Sequence, residues 1–205
     1  MSQIYGKTRW KRFAVVMVPT LAVTAAVGVS VAQGALAASF SVSGSQFKVA
    51  AASLHGDGFV QYGTVDTYVN NKTIPVAVSG FTDATIHNLC QSVSLPFGFV
   101  LKITAGDSPT NPVKATSLYI DMTDLQATTA QFNGINIGVA AGAVSKGTIS
   151  QGDKNKSTYD PTGFAQEATS ADLTGVQQTA WATSAATFSL NGMHLSLNDT
   201  NSECF

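Results

Sequence analysis

The sequence predicts an all-β protein preceded by an N-terminal hydrophobic helix. From Ser39 onward, apolar and polar residues alternate at a period of two, as at Phe40 and Val42 and again at Phe47 and Val49, which is typical of half-buried strands. Glycine, asparagine and proline separate the apolar runs at short intervals. We therefore expect an antiparallel sandwich or a strongly curled sheet, with a β-helix-like stack as the alternative.

The N-terminal segment has the form of an export signal. Four cations in the first twelve residues precede an uncharged apolar run over residues 13–31, and the small-x-small sequence Ala35-Leu36-Ala37 follows it. These features predict a signal peptide over residues 1–37, cut between Ala37 and Ala38. The apolar run approaches the ~20 residues that span a bilayer, so an uncleaved membrane anchor over residues 13–31 is the alternative.

Residues 38–205 form a single β-rich extracytoplasmic domain in this interpretation, since their number suits one domain with a real core. This part has seven lysines, no arginine and twelve acidic residues, a net charge of −5. An acidic chain is repelled by a polyanion, and without arginine it lacks the fork that binds phosphate in a bidentate manner. Nucleic acid is therefore excluded as an expected partner.

Two cysteines, Cys90 and Cys204, are present. In an oxidising extracytoplasmic space, two cysteines in one exported domain favour a disulfide over two unpaired buried thiols. The bond would tie the last residues of the chain to the middle of the domain.

Several local patterns lead to specific expectations. The run from Gly58 to Gly63 predicts a short strand, and Pro75 predicts that the strand beginning at Ile74 lies at a sheet edge. Residues 164–169 suit one helical turn, and residues 152–163 suit a solvated loop. Asn191-Gly192 is the strongest hairpin pattern in the chain, since this dipeptide favours a two-residue turn.

Motifs for enzyme chemistry are weak. The Gly-x-Ser-x-Gly elbow is absent, and Gly106-Asp107-Ser108 is a three-residue match to another lipase class that a turn explains better. An esterase would need Ser108 beside His87 or His194 and an acid. The third histidine, His55, carries no stronger pattern, and a lone histidine in a strand is more often structural or exposed.

No cofactor or metal is expected. His87 and Cys90 have a ligand-like spacing, but zinc needs three or four ligands and a bridged cysteine is not available. Residues 153–160 resemble the front of a calcium loop, yet they lack its glycine and its closing glutamate and contain two lysines.

Aromatic residues are concentrated in the first half of the domain. Their ordinary role is to fill the core, and the sharper hypothesis is that they line a site for a lipid or another apolar ligand between sheets. These residues are Phe59, Tyr62, Tyr68, Phe81, Phe97 and Phe99.

Five short segments carry a resemblance to a known family: the exit Ala-Gln-Gly-Ala-Leu-Ala-Ala-Ser-Phe, then Gly-Phe-Val-Gln-Tyr-Gly, Leu-Cys-Gln-Ser-Val, Ile-Asn-Ile-Gly-Val and Gln-Thr-Ala-Trp-Ala-Thr. The chain resembles DUF6230, a family of small exported actinomycete proteins of unknown function, over its whole length including Cys90 and Cys204. Members often carry the label "cholesterol esterase". The resemblance implies export and a single domain, and it supplies no catalytic residues.

The sequence therefore favours a secreted or cell-envelope β-domain of non-enzymatic binding or structural role, with a lipid or other envelope component as its partner. The alternative is an esterase, a carboxylic ester hydrolase, acting on lipid or sterol esters. Self-assembly through exposed strand edges is a third, structural hypothesis.

Overall fold

The computed structural model describes residues 44–67, 72–199 and 202–205. The predicted hydrophobic helix, the signal or anchor over residues 13–31 and the cut between Ala37 and Ala38 lie outside the described residues and stay predictions. In the described part, nearly all regular structure is β, which confirms the predicted fold class. The described residues contain ten strands: β1 (Phe47–Thr67), β2 (Thr73–His87), β3 (Leu89–Ser94), β4 (Phe99–Ala105), β5 (Val113–Gln126), β6 (Thr129–Asn133), β7 (Asn136–Ala140), β8 (Phe164–Ser184), β9 (Thr187–Ser189) and β10 (His194–Asp199).

The strands form one antiparallel sheet that curls until it meets itself. Along the sheet the order is β10-β4-β3-β1-β2-β5-β8-β6, with β7 paired to β8 and β9 paired to β5. Because β8 also pairs with β1, the strands β1, β2, β5 and β8 form a closed ring of neighbours. The curled sheet is therefore the observed architecture. The pairings among the described strands are antiparallel, unlike the successive rungs of a β-helix.

Left-handed residues switch the faces of the strands. In β1, Val49, Ala51 and Leu54 pack in the main core before Gly58, and Phe59 packs in the same core after it, so the inward positions change between odd and even numbers after Ala51 and again between Leu54 and Phe59. Gly58 has φ 62°, and Ser117 of β5 and Gly175 of β8 have φ 48° and 58°. A residue in this region reverses the local side-chain alternation, which lets a long strand turn a corner without ending.

Two apolar cores result, on opposite faces of the sheet. The main core lies inside the curl and contains Leu54, Phe59, Phe81, Leu118 and Leu173 among others. The second core lies on the other face and holds the side chains Val60, Tyr62, Val76, Val78, Ala141, Ile149 and Ala165.

The second core is closed by the segment over residues 141–163, which we call the cover. It contains a 3₁₀ turn (Ala141–Ala143) and a short helix, α1 (Gln151–Lys154), and Ile149 from the cover is 2 % exposed. Another 3₁₀ turn, Pro96–Gly98, joins β3 to β4. Among the described residues, no helix has the length and hydropathy required to cross a membrane.

Four local expectations are corrected. Residues 164–169 begin β8 and are not helical, and the run from Gly58 to Gly63 is part of a 21-residue strand. Asn191-Gly192 forms a turn but not a hairpin, because β9 pairs with β5 while β10 pairs with β4. Pro75 lies in a strand that is central to the sheet, at a position beyond the stretch that pairs with β5.

Candidate functional site

An apolar cavity lies inside the curl of the sheet. Its volume is about 220 Å³. Side chains from β1, β2, β5, β6 and β8 surround it, because the ring of strands places their inward positions around one space. The lining residues are Leu54, Phe59, Gln61, Ser79, Phe81, Ile120, Leu125, Ala127, Ala130, Phe132, Leu173, Val176 and Gln178.

The cavity has a mouth and a polar interior contact. Leu125 is 37 % exposed and Ala130 is also exposed, so the opening lies between the end of β5 and the start of β6. Farther in, the Gln61 amide donates to the hydroxyl of buried Ser79 over 3.0 Å. Gln178, which is also buried, adds a second amide. An apolar space with a few polar side chains is the usual composition of a small-molecule site.

A group of ionisable side chains lies where the cover meets β1. Lys156 Nζ is 2.8 Å from Asp66 Oδ1 and 2.6 Å from Asp153 Oδ1. The Tyr62 hydroxyl donates to Asp153 Oδ2 over 2.6 Å and accepts the Ser150 N–H. Residues from β1 and from the cover thus meet in one buried network, which we call the acid–lysine cluster.

Asp121 of β5 completes the acid–lysine cluster. Burial raises the pKa of this carboxyl to about 8, and the nearby charges of Asp66 and Asp153 and a hydrogen bond to Asp66 act in the same direction. Asp121 is therefore protonated at neutral pH and donates to Asp66. Asp66 is 2 % exposed, and its Oδ2 has no hydrogen-bond partner of fixed assignment among the described residues.

The electrostatics of the cluster follow from burial. For Lys156, burial alone would lower the pKa, but hydrogen bonds with Asp153 and Asp66 raise it above its usual value. Burial, followed by the charge of Asp153, also raises the pKa of Tyr62. Lys156 is thus an ammonium placed between Asp66 and Asp153, and the same cluster contains the protonated Asp121 carboxyl and the neutral Tyr62 phenol.

This arrangement corrects the prediction for residues 152–163. The segment was expected to be a solvated loop, but Asp153 is buried and Lys156 points into the cluster. Residues 153–160 resemble the front of a calcium loop, but here the positive charge beside the Asp153 carboxyl belongs to the side chain of Lys156. The described part of the chain contains no group of three or more His, Cys, Asp or Glu side chains arranged to hold a metal ion.

The loop that carries Ser108 lies near the strands of His87 and His194, because the Gly106 carbonyl accepts the Asn88 N–H and the Gly106 N–H donates to the Asn191 carbonyl, each over 2.8 Å. The Ser108 hydroxyl bonds Thr110 over 3.2 Å. His55 bonds Asp172 over 2.6 Å on an exposed part of the sheet. His87 and His194 lie on β2 and β10, and among the described residues no hydrogen bond joins a histidine ring to a serine hydroxyl.

The aromatic candidates divide among three environments. Phe59 and Phe81 line the cavity and contact each other, with ring centroids 5.5 Å apart. Tyr62 belongs to the acid–lysine cluster. Phe97 is 97 % exposed and Phe99 is also exposed, so neither belongs to the cavity. Tyr68 lies outside the described residues.

Sequence reasoning missed the acid–lysine cluster. Its acids stand on three separate segments, at positions 66, 121 and 153, and no spacing rule connects them. The available signal was the placement of Asp66 and Asp121 in otherwise apolar strands, where a charged residue needs a buried partner.

The disulfide joins Cys90 of β3 to Cys204, with sulfur atoms 2.01 Å apart. Neighbouring contacts hold the same tail: the Cys204 N–H donates to Ser92 Oγ over 3.0 Å, and Lys48 forms an ion pair with Glu203. The predicted bond is therefore present, and it is consistent with an extracytoplasmic location.

Comparison with known proteins gives a family and no function. No curated protein and no solved structure matches the chain. The model of DUF6230, described as a family of unknown function, matches residues 43–205. This match covers all the described residues, including the cavity, the acid–lysine cluster and both cysteines, and so the chain belongs to the family of unknown function DUF6230.

Proposed function

We propose that this protein is an exported β-domain, secreted or held at the cell envelope, that binds an apolar ligand without chemical turnover. The observation that carries the proposal is the cavity inside the curled sheet, with its phenylalanine, leucine, isoleucine and valine lining and its few polar groups. Burying apolar ligand surface in such a space is favourable by about 25 cal/mol per Å².

The size of the cavity restricts the ligand class. A cavity of about 150 Å³ with an apolar lining holds one benzene ring, and drug-sized sites usually measure about 300–1,000 Å³. The volume here, about 220 Å³, lies between these values. It suits an aromatic ring or one acyl chain of medium length and is too small for a whole sterol ester.

The polar side chains determine how such a ligand would be oriented. Gln61 and Ser79 bond each other, and Gln178 lies in the same lining. Their remaining donors and acceptors suit the carbonyl or hydroxyl head of a lipid fragment. The ligand class with the best fit is therefore a medium-chain fatty acid or a related envelope component with one acyl chain.

Binding of decanoic acid tests the proposal. The purified full-length protein is titrated calorimetrically at several temperatures, and we expect saturable binding with a negative heat-capacity change, the marker of apolar burial. Extraction of the untreated protein with organic solvent should also release bound lipid. An absence of both binding and bound lipid would overturn the proposal.

A matched pair of variants locates the site. Ala130→Trp places a large ring at the mouth of the cavity and should weaken binding at least tenfold, which corresponds to about 1.4 kcal/mol. Ala186→Trp makes the same change at an exposed position between β8 and β9 and should leave binding unchanged. Equal affinity in both variants would place the ligand elsewhere.

Export and the absence of turnover need their own tests. N-terminal sequencing of the native protein should begin at Ala38 if the signal is cut, whereas an intact N-terminus recovered with membranes would support the anchor over residues 13–31.

Hydrolysis of p-nitrophenyl butyrate above a heat-treated control would contradict the proposal that the protein binds its ligand without chemical turnover, and it would favour an esterase.

A further inference from the structure

The acid–lysine cluster contains the groups that an intramolecular condensation requires. Lys156 supplies an amine whose nitrogen is 2.8 Å from Asp66 Oδ1. Asp66 supplies a buried carboxyl group whose Oδ2 is not held by the lysine, and Asp121 supplies an acid that hydrogen-bonds Asp66. We propose that Lys156 and Asp66 form an isopeptide bond between Nζ and Cγ, with Asp121 as the acid that assists the reaction.

The steps balance without another reactant. One proton passes from the Lys156 ammonium to Asp66, which leaves a neutral amine beside a neutral carboxylic acid. The nitrogen lone pair then forms a bond to Cγ. Asp121 gives its proton to the departing hydroxyl and takes a second proton from the nitrogen. One C–O bond is broken, one C–N bond is formed, one water molecule leaves, and nothing is oxidised or reduced.

The environment favours this reaction over a lasting ion pair. A buried ion pair carries a desolvation cost that its mutual attraction offsets only in part, and a neutral amide removes both charges. Asp66 is 2 % exposed, so little water reaches its carboxyl group to reverse the condensation. Holding amine and acid in contact also replaces a bimolecular step by an intramolecular one.

Asp153 is the competing acid, and its surroundings differ. Its Oδ1 contacts Lys156, but its Oδ2 accepts a hydrogen bond from the phenol of Tyr62. A phenol is a far weaker acid than a carboxyl group. Tyr62 therefore serves poorly as a proton donor to a leaving hydroxyl. An amide to Asp153 would also close a ring of only four residues within the cover, whereas an amide to Asp66 joins two separate elements.

The proposed bond would attach the cover to the sheet. Asp66 is next to the last residue of β1, and Lys156 follows α1 in the cover. At the other end of β1, Ala50 pairs with Cys90, which the disulfide joins to Cys204. The two cross-links would therefore secure both ends of β1, and the disulfide could be opened by a reducing agent whereas the amide could not.

Tryptic peptide mapping of the reduced, full-length protein tests the bond directly. Cleavage after lysine places Asp66 in peptide 49–72, Asp153 in peptide 147–154 and Lys156 at a site that an amide protects from cleavage. We expect peptide 49–72 joined to peptide 155–205, lighter than the sum of the two by one water molecule. Separate recovery of peptides 49–72 and 157–205 at full mass would overturn the proposal, as would peptide 147–154 joined to 155–205.

Three variants assign the roles. Lys156→Arg keeps the positive charge but cannot form this amide, and Asp121→Asn keeps the shape but not the acid, so both should lack the joined peptide. Asp153→Asn should retain it. Circular dichroism reports folding in each case. A joined peptide at the wild-type level in Asp121→Asn would contradict the role of Asp121.

Discussion

Glu167 of β8 receives the main-chain N–H groups of Ser145 at 2.6 Å and of Lys146 at 2.8 Å on a single carboxylate oxygen. Its other oxygen accepts the Asn136 amide over 2.9 Å. Glu167 is 2 % exposed, so these bonds take the place of water. The Glu167 carboxylate therefore links β7, β8 and the first part of the cover by hydrogen bonds. The second core attaches the cover to the sheet by apolar contacts.

Replacing Glu167 by glutamine should destabilise the domain. The change removes the negative charge, and hydrogen bonds to a charged group contribute about 1.5–3 kcal/mol each, so we expect a loss of about 2 kcal/mol or more in the free energy of unfolding. Urea denaturation at pH 7 measures it. Glu203→Gln is the control, because its ion pair with Lys48 is more exposed and contributes about 1 kcal/mol or less.

The pH dependence of stability gives a second test of Glu167. Burial alone would raise the pKa of this group, but the Lys146 and Ser145 N–H groups and the Asn136 amide lower it from 4.5 to about 2. Because the folded-state pKa is lowered, the stabilisation is complete above pH 4.5 and is lost as the pH falls toward 2. The difference between wild type and Glu167→Gln should therefore shrink below pH 4.5. A constant difference from pH 7 to pH 3 would contradict this origin.

The sequence predicted the class of fold because alternation is a local property. Phe47, Val49 and their successors show a period of two that needs no knowledge of distant residues. The ends of elements were harder to predict. Gly58 suggests a strand end, but in β1 its positive φ turns a corner inside a continuous strand, and only the pairing with β2 and β8 shows this.

Contacts between distant residues also explain where else the predictions from the sequence differ from the structure. Asn191-Gly192 has the local preference for a two-residue hairpin, yet each flanking strand finds a better partner in β4 or β5. Asp153 looks solvated beside Lys154 and Asn155, but Tyr62 and Lys156 make its burial favourable. In both cases the structure depends on a contact that the local sequence does not indicate, either because the partner is distant in the chain or because polar residues stand on both sides of it.

Replacing Lys156 should be far more damaging than replacing its neighbour Lys154. Lys156→Met removes the contact of Nζ with Asp66 and Asp153, whether it is an ion pair or the proposed amide, and breaking a buried pair alone costs about 3–5 kcal/mol. Lys154→Met changes an exposed side chain two residues away and should shift stability by less than about 0.5 kcal/mol. Thermal and urea unfolding of the two variants would measure the contrast, and similar values would mean that the cluster contributes no net stability.

Loss of the disulfide should lower stability substantially. The bond closes a loop with a sequence separation of 114 residues. Chain-entropy reasoning for a loop of this length gives about 4–5 kcal/mol. We expect Cys204→Ser to lower the urea midpoint accordingly, and Cys90→Ser to match it, because either change opens the same loop. Wild-type protein under a reducing agent should behave like both variants, and a much smaller effect would show that Lys48 and Ser92 hold the tail without the bond.

Two glycines of β1 allow a test of the corner in this strand. Gly58 has φ 62°, and a Cβ atom added there would lie 2.2 Å from Thr82 Oγ1. Gly63, five residues later, has an ordinary φ and no atom within 4 Å of such a Cβ. Since the left-handed region costs an alanine about 1–2 kcal/mol and the contact with Thr82 adds to this, Gly58→Ala should destabilise the domain by at least about 1 kcal/mol. Gly63→Ala should be neutral or slightly stabilising, because alanine restricts the unfolded chain. Urea denaturation measures the free energy of unfolding of both variants. Equal changes in the two variants would show that the change of inward face between Leu54 and Phe59 does not depend on the conformation of Gly58.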